Sequence, residues 1–145
     1  KELLRHLTGD RTLVRALAYV VKTETTMGEA SFFEALKQAG LELRVKDIQI
    51  FAGGVKKADW DVGMAVDAIR TASTFDTIVI VTGDGDFVPL VEYLRIGLGK
   101  EVEVAGFSRT TNSRLRESPD KFIAIEDIPK ILIKIREKKV TRSEK

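Results

Sequence analysis

The sequence contains no cysteine and a single histidine, His6, which excludes disulfide bonds, thiolate metal sites and any site built from several imidazoles. No apolar run approaches the roughly 20 residues that are needed to span a bilayer. The first ten residues carry charges where a secretory signal would be apolar. Any metal must therefore be held by oxygen ligands, and we expect the protein to be cytoplasmic.

Neither sign of charge dominates, because 24 Lys and Arg residues face 22 Asp and Glu residues. The charge is nevertheless uneven, since residues 130–145 contain seven basic and two acidic side chains. A basic tail of this kind can steer a polyanion or simply keep the chain in solution, and charge alone does not distinguish the two. The hydrophobic fraction of 43% is enough for one buried core in a chain of 145 residues.

Segments of strand and helix character alternate along the chain. Strand patterns cover residues 11–21, 41–51, 76–81, 101–107 and 121–125, and helical patterns cover residues 1–7, 29–38, 62–72, 87–98 and a segment from about residue 128. The alternation predicts an α/β fold with a parallel sheet and helices on both of its faces. The unbroken β-branched run in residues 76–81 predicts an interior strand. We expect one domain over residues 1–127, followed by a C-terminal helix and basic tail over residues 128–145.

The strand at residues 76–81 runs directly into Thr-Gly-Asp-Gly-Asp at residues 82–86. Ligands of open α/β sheets bind beyond the carboxyl ends of the strands. Asp84 and Asp86 can converge on one point there, because glycines tolerate the backbone angles that fold a loop over, and Mg²⁺ and Mn²⁺ prefer such oxygen ligands. Alternatively, Asp84 makes a turn and Asp86 caps the helix that begins at Phe87. The loop alone does not decide between metal binding and capping.

A second acidic group precedes the helix at residues 62–72 and favours the metal interpretation. It consists of Asp59, Asp61 and Asp67. Asp61 and Asp67 lie six residues apart and therefore point to different sides of a helix. Asp61, at the helix start, is the better candidate to face the loop, and we expect Asp67 to face solvent or to form an ion pair. A dinucleotide fingerprint, a P-loop and an EF-hand are all excluded by the residues around the loop.

The sequence resembles the NYN domains of the LabA-like group, which have PIN-like nuclease folds. The resemblance runs from about residue 11 to residue 127, and its most specific part is Thr-Gly-Asp-Gly-Asp-Phe at residues 82–87. The matching segments are residues 61–67, 78–91, 99–104, 112–116 and 120–123. The resemblance implies a three-layer PIN-like, Rossmann-like α/β fold. It also implies a metal-dependent ribonuclease in which Asp61, Asp84 and Asp86 bind Mg²⁺ or Mn²⁺, with Thr82 supporting them through its hydroxyl.

Basic residues near the predicted cluster of aspartates could hold the phosphates of a single-stranded RNA without reading its bases. They are Lys56, Lys57, Arg109, Arg114 and Arg116. Trp60 either stacks on an unpaired base or packs against the sheet. The five basic residues and the three aspartates together define the predicted site.

One feature of the family has no counterpart in residues 1–145: members usually begin with a hydrophobic strand that ends in Asp and lies in the middle of the sheet. Without that strand, the sheet either carries a gap between the strands at residues 11–21 and 76–81 or is completed by another chain, which makes a homodimer plausible. The alternative function is an RNA-binding or protein-interaction module without nuclease activity. A phosphatase of the haloacid-dehalogenase type is a weaker alternative, because Thr82 and Gly83 separate the strand from Asp84.

Overall fold

The computed structural model describes residues 1–22, 27–47, 49–50, 56–57 and 60–129, with the backbone alone at residues 27, 49–50 and 56–57. The helices are α1 (Glu2–Thr8), α2 (Met27–Gln38), α3 (Asp61–Thr71), α4 (Val88–Glu92) and α5 (Ser113–Glu117). The strands are β1 (Leu17–Lys22), β2 (Glu42–Asp47), β3 (Gln49–Ile50), β4 (Lys56–Lys57), β5 (Thr77–Val81), β6 (Glu101–Gly106) and β7 (Lys121–Ala124). No helix in the described part of the chain is long and apolar enough to cross a membrane.

The chain divides into two compact units. One unit is Thr12–Asp67, and the other combines Lys1–Arg11 with the chain from Ala68 onward. One boundary therefore falls between Arg11 and Thr12, and the other falls between Asp67 and Ala68, inside α3.

In the unit Thr12–Asp67, β1 and β2 pair in parallel, with Leu17 opposite Glu42 and Lys22 opposite Asp47. Helix α2 connects these strands, and the chain turns back after it at Gly40, whose positive φ of 99° favours glycine. The predicted strand at residues 11–21 begins only at residue 17, and the side chains of Leu13 and Val14 before it are exposed.

The strand predicted at residues 41–51 is found as two separate strands, β2 and β3. Strand β2 ends at Asp47, and β3 pairs with β4 in antiparallel fashion instead of continuing β2. The apolar character of this segment therefore reflects two short strands with different partners.

The other unit contains a parallel sheet in the order β5-β6-β7. Thr77 of β5 lies opposite Glu101 of β6, and Glu103 of β6 lies opposite Lys121 of β7. The centre of this sheet is β6, where Val102, Val104 and Ala105 are fully buried. Helix α1 packs on it through Leu7, in a cluster with Ala105, Ile125 and Ile128.

The prediction that residues 76–81 form an interior strand is wrong for the residues that the structure describes. Strand β5 pairs with β6 alone and stands at the edge of its sheet. Ile80 is 3% exposed whereas Val81 is 46% exposed. A β-branched run reports that the faces of a strand are covered, and it carries no information on how many neighbours the strand has.

The predicted helix at residues 87–98 is composite. A 3₁₀ turn at Gly85–Phe87 leads into α4, which continues as a π-helix at Tyr93–Gly97. Pro89 lies in the first turn of α4, where the missing N–H is tolerated. The predicted C-terminal helix lies almost entirely in residues 130–145, outside the described residues.

Candidate functional site

The loop that follows β5 is organised by hydrogen bonds among its own residues. The Thr82 hydroxyl oxygen Oγ1 accepts from the backbone N–H of Asp84 at 3.2 Å. The Asp84 carboxylate oxygen Oδ1 accepts from the backbone N–H of Asp86 at 2.9 Å, and the Phe87 N–H donates to the Asp84 carbonyl at 3.1 Å. Asp84, and not Asp86, therefore caps the turn that opens the helical segment, which corrects the capping alternative drawn from the sequence.

Asp84 and Asp86 both expose their side chains, whereas the next residues, Phe87 and Val88, are buried and anchor the loop. Within the described part of the chain, the Asp86 carboxylate has no hydrogen bond or ion pair, and Asp84 uses only Oδ1. The loop thus presents carboxylate oxygens to solvent at the carboxyl end of β5, as predicted.

The segment Thr110 to Asn112 forms a second wall against this loop. The Asn112 N–H donates to the Gly83 carbonyl at 3.2 Å, and the Asn112 side chain lies against Gly85. Its Oδ1 also accepts from the backbone N–H groups of Arg114 at 2.9 Å and Leu115 at 3.4 Å, which caps α5. Sequence reasoning did not place Asn112 in the site, although an Asn just before a helical pattern is a recognisable N-cap.

The glycines of this region are required by close contacts and not by the backbone angles that we expected. Among the described glycines, positive φ occurs at Gly9, Gly40 and Gly99 only. A Cβ added at Gly106 would lie 2.5 Å from Thr111 Oγ1 and 2.8 Å from the Thr82 carbonyl. Glycine therefore lets the second wall approach the loop.

Three of the predicted phosphate-binding residues share one segment after β6. Arg109 lies in the loop that leads to α5, and Arg114 and Arg116 lie on α5, all with exposed side chains. The loop is fixed at its start, because Glu126 accepts from the Ser108 N–H at 3.0 Å and from the Ser108 hydroxyl at 3.1 Å. The side chains of the other two predicted residues, Lys56 and Lys57, lie outside the described residues.

Asp61 is the first residue of α3 and is half-buried. It belongs to the unit Thr12–Asp67, whereas Thr82, Asp84 and Asp86 belong to the other unit. The structure thus brings Thr82, Asp84 and Asp86 together in one loop, and the convergence of Asp61 with them stays a prediction. Asp59 lies outside the described residues.

Asp67 is not solvent-facing but forms an ion pair, so one of the two expectations is confirmed. It is 8% exposed, and its Oδ2 accepts from the Tyr19 hydroxyl at 2.9 Å and lies 3.4 Å from Arg44 Nε. The pKa of Tyr19 is raised to about 12, mainly by burial and to a smaller extent by the hydrogen bond to Asp67.

Trp60 packs within its own unit. Its Nε1–H donates to the Val20 carbonyl at 2.9 Å, its ring centroid lies 5.4 Å from that of Tyr19, and Lys46 Nζ lies 5.4 Å from the ring. A Cβ at Gly63 would lie 2.6 Å from the indole, so this glycine admits the ring. The packing expectation for Trp60 is therefore met by its contacts with β1.

Known proteins with similar sequences and structures identify the family of this chain. The NYN domain family matches residues 1–126. The chain is 28% identical over 106 residues to the low amplitude and bright protein LabA of Synechococcus elongatus, an alignment that covers 69% of this chain and 56% of LabA. The crystal structure of a protein of unknown function from Vibrio parahaemolyticus matches with a TM-score of 0.80 and 34% identity, covering 87% of this chain and 77% of that one.

The chain thus spans little more than half the length of LabA. The family match covers most of the chain, and the parallel sheets flanked by helices agree with the fold of the Vibrio protein. This chain belongs to the NYN domain family, as a LabA-like NYN domain with a PIN-like α/β fold.

Proposed function

We propose that this chain is a metal-dependent ribonuclease that hydrolyses phosphodiester bonds of single-stranded RNA in the cytoplasm. The observation that carries the proposal is the hydrogen-bonded loop after β5, which presents the Asp84 and Asp86 carboxylates to solvent in a chain of the NYN family. Asp61 completes the proposed catalytic set, and Thr82 supports it through its hydroxyl.

The residues of the loop fit Mg²⁺ or Mn²⁺ by the chemistry of their donors. They offer carboxylate and hydroxyl oxygens, the ligands that these hard cations prefer. Clustered carboxylates repel one another, and a divalent cation relieves that repulsion. When bound, the cation supplies an activated water and stabilises charge on the phosphate.

The chain's own residues prepare the loop for this chemistry. The bond from the Asp86 N–H orients the Asp84 carboxylate and leaves its Oδ2 available, while the Asp84 N–H fixes the Thr82 hydroxyl. The Asp84 carboxylate is thus held by the backbone before substrate arrives, so it needs little reorganisation at the moment of reaction.

RNA would be held by its phosphates. Arg109, Arg114 and Arg116 are exposed in the segment whose Asn112 contacts the acidic loop. Lys56 and Lys57, in the other unit, are also proposed to bind phosphates. Contacts of this kind position the strand without reading sequence, so binding should weaken as salt is raised.

The test is metal-dependent cleavage of a single-stranded RNA by Asp84→Asn and Asp86→Asn variants. Asn keeps the shape of the side chain but removes its charge, so we expect cleavage to fall by ~100-fold or more in each variant. The matched control is Asp76→Asn, the same substitution just before the amino end of β5, which should cleave as the wild type does. Thermal unfolding of all variants should change little.

Each other outcome has a definite meaning. Cleavage that survives in the double Asn variant would show that the site assignment is wrong. A wild-type protein that binds RNA in the presence of Mn²⁺ without cleaving it would be an RNA-binding module of the same fold. Hydrolysis of small phosphomonoesters with indifference to RNA would indicate a phosphatase.

A further inference from the structure

We propose that Asn112 is a positioning residue of the acidic loop: its side chain occupies the space above Gly85 and thereby fixes where Asp84 and Asp86 stand. A Cβ added at Gly85 would lie 2.7 Å from Asn112 Cγ and 2.8 Å from Asn112 Nδ2. Non-bonded carbon atoms favour separations of about 3.5–4.0 Å, so an alanine at position 85 and this Asn112 cannot both keep their places.

The glycine at position 85 is explained by this contact and not by its backbone. Positive φ among the described glycines is confined to Gly9, Gly40 and Gly99, so residue 85 has a conformation that an L-residue can adopt. A substitution at Gly85 therefore acts on the contact with Asn112, which makes it a clean probe of that contact.

Asn112 has no freedom to move away. Its Oδ1 accepts from two backbone N–H groups at the start of α5, which also determines that the amide nitrogen is the atom turned toward Gly85. Its neighbour Thr111 is buried and donates through Oγ1 to the Phe107 carbonyl at 2.7 Å. The second wall is therefore a fixed reference for the loop.

Asn112 contacts the residue on each side of Asp84. Its backbone N–H holds the Gly83 carbonyl, and its side chain covers Gly85. Because Asp84 lies between these two contacts, a displaced Asn112 moves the Asp84 carboxylate and the Asp86 N–H that it accepts. Residues that orient metal ligands in this way typically change metal affinity by about 10–100-fold when they are lost.

The inference rests on the proposed function only where metal affinity is concerned, since the positioning itself can be measured without metal. The experiment is a steric exchange with three variants: Gly85→Ala, Asn112→Gly and the double variant. Gly is well tolerated at the N-cap of a helix, and it removes the Cβ, Cγ and Nδ2 atoms that meet the new Cβ. Gly28→Ala, in α2, is the matched control because nothing lies within 4 Å of its Cβ position.

Two quantities are measured: Mn²⁺ affinity by calorimetry, and the Asp86 amide chemical shift by NMR in EDTA. We expect Gly85→Ala and Asn112→Gly each to weaken Mn²⁺ binding by ~10-fold or more and to shift the Asp86 amide. The double variant should return both quantities toward wild type, because the methyl group that Gly85→Ala adds fills the space that the Asn112 side chain vacates. Gly28→Ala should change neither quantity. General destabilisation of the fold would not be relieved by shortening Asn112, so the rescue distinguishes positioning from simple folding damage.

The inference is overturned if Gly85→Ala leaves the Asp86 amide shift unchanged, or if the double variant is as perturbed as Gly85→Ala alone. If the wild type binds no Mn²⁺ while the amide shift still follows the loss and rescue pattern, Asn112 positions the loop and the proposed metal-dependent function fails. The two conclusions are thus separately testable.

Discussion

Asp67 is a buried carboxylate in a helix, and its neighbours explain how it is tolerated. Tyr19 donates a hydrogen bond to it, and the Arg44 guanidinium supplies an opposite charge 3.4 Å away. A buried charge that lacks such partners costs several kcal/mol, roughly, which is why buried carboxylates are almost always paired. Tyr19 and Arg44 are therefore expected to be coupled to Asp67 in stability.

Tyr19 should give this unit a pH-dependent stability at alkaline pH. An unfolded tyrosine has a pKa of 10.0, whereas folded Tyr19 has a pKa of about 12, chiefly because of burial and then of its bond to Asp67. Between these two pH values, the unfolded chain therefore binds fewer protons than the folded chain does. The stabilisation is complete below pH 10 and is lost as the pH rises toward 12.

The check is an ultraviolet titration of the tyrosinate signal in a Tyr93→Phe background, where Tyr19 is the remaining tyrosine. We expect a midpoint near 12 in the folded protein. A midpoint near that of free tyrosine would contradict the prediction. Tyr19→Phe should in addition lower the free energy of unfolding at neutral pH by about 1–2 kcal/mol, because it removes a hydrogen bond to a charged acceptor.

The candidate site shows which residues a sequence can identify. Asp84 and Asp86 follow from their position directly after a strand, whereas the supporting hydroxyl of Thr82 follows from the family resemblance. The structure places the three residues in one hydrogen-bonded loop. Asn112 could not be found in this way, because it is 26 positions beyond Asp86 and meets the loop only through the fold. Contacts between distant segments have no local sequence signature.

At the level of elements, a partly buried ion pair adds to the Leu7 packing in joining the end of α1 to the sheet. Arg11 donates to Glu103 of β6 through Nη1 at 2.8 Å and Nη2 at 3.0 Å, and Nη2 also donates to the Leu7 carbonyl at 2.6 Å. The Glu103 side chain is 6% exposed and the Arg11 side chain 40% exposed. The pair therefore connects the end of α1 to the central strand.

Arg11→Met should leave Glu103 as an unpaired buried charge. We expect the free energy of unfolding to fall by about 2–3 kcal/mol, which is less than the roughly 3–5 kcal/mol for a fully buried pair because Arg11 is partly exposed. Urea denaturation measures the loss, and Arg11→Met combined with Glu103→Met should recover part of it. Arg15→Met, which breaks the exposed pair with Glu42, is the control and should change stability little. Equal losses in both single variants would contradict the argument.

The ion pair of Arg11 and Glu103 helps to explain why the central strand of this sheet was predicted wrongly. Residues 101–106 contain two glutamates and look less buried than the β-branched run in β5, yet β6 is the central strand and β5 the edge. Arg11 neutralises Glu103 inside the sheet, and that partner lies 92 residues away in sequence. Helix positions were easier to predict, because amphipathic periodicity and terminal glycines are local signals.

At the scale of the whole chain, the sequence marks one of the two boundaries between the compact units but not the other. The boundary between Arg11 and Thr12 follows Gly9, which ends α1, whereas the boundary between Asp67 and Ala68 lies inside α3. Domain boundaries are recognised in sequence by Gly, Pro and polar linkers, and an uninterrupted helix offers none of these. The predicted division into residues 1–127 and 128–145 stays a prediction, because the second segment lies almost wholly outside the described residues.

At the scale of the whole molecule, the outer edge of β5 is the place where two copies of the chain could pair. The Thr82 N–H donates to the Ala105 carbonyl, and the Asp76 carbonyl accepts from the Glu101 N–H, so even-numbered residues direct their backbone groups toward β6. The odd-numbered residues Thr77, Val79 and Val81 then direct theirs toward the outer edge. No strand pairs with that edge in the part of the chain that the structure describes. An apolar strand with an open edge is a template for pairing.

We therefore predict that the chain forms a homodimer through β5, with a dimer fraction that rises with protein concentration in light scattering. Val81→Pro removes an outward N–H and keeps the bonds to β6, so it should weaken association by ~10-fold or more. Ile96→Lys is the control, because Ile96 is an apolar residue that is 74% exposed and lies in the π-helix and not in a strand. If surface hydrophobicity drove association, Ile96→Lys would weaken it and Val81→Pro would not. A wild type that stays monomeric at high concentration would rule out pairing at β5.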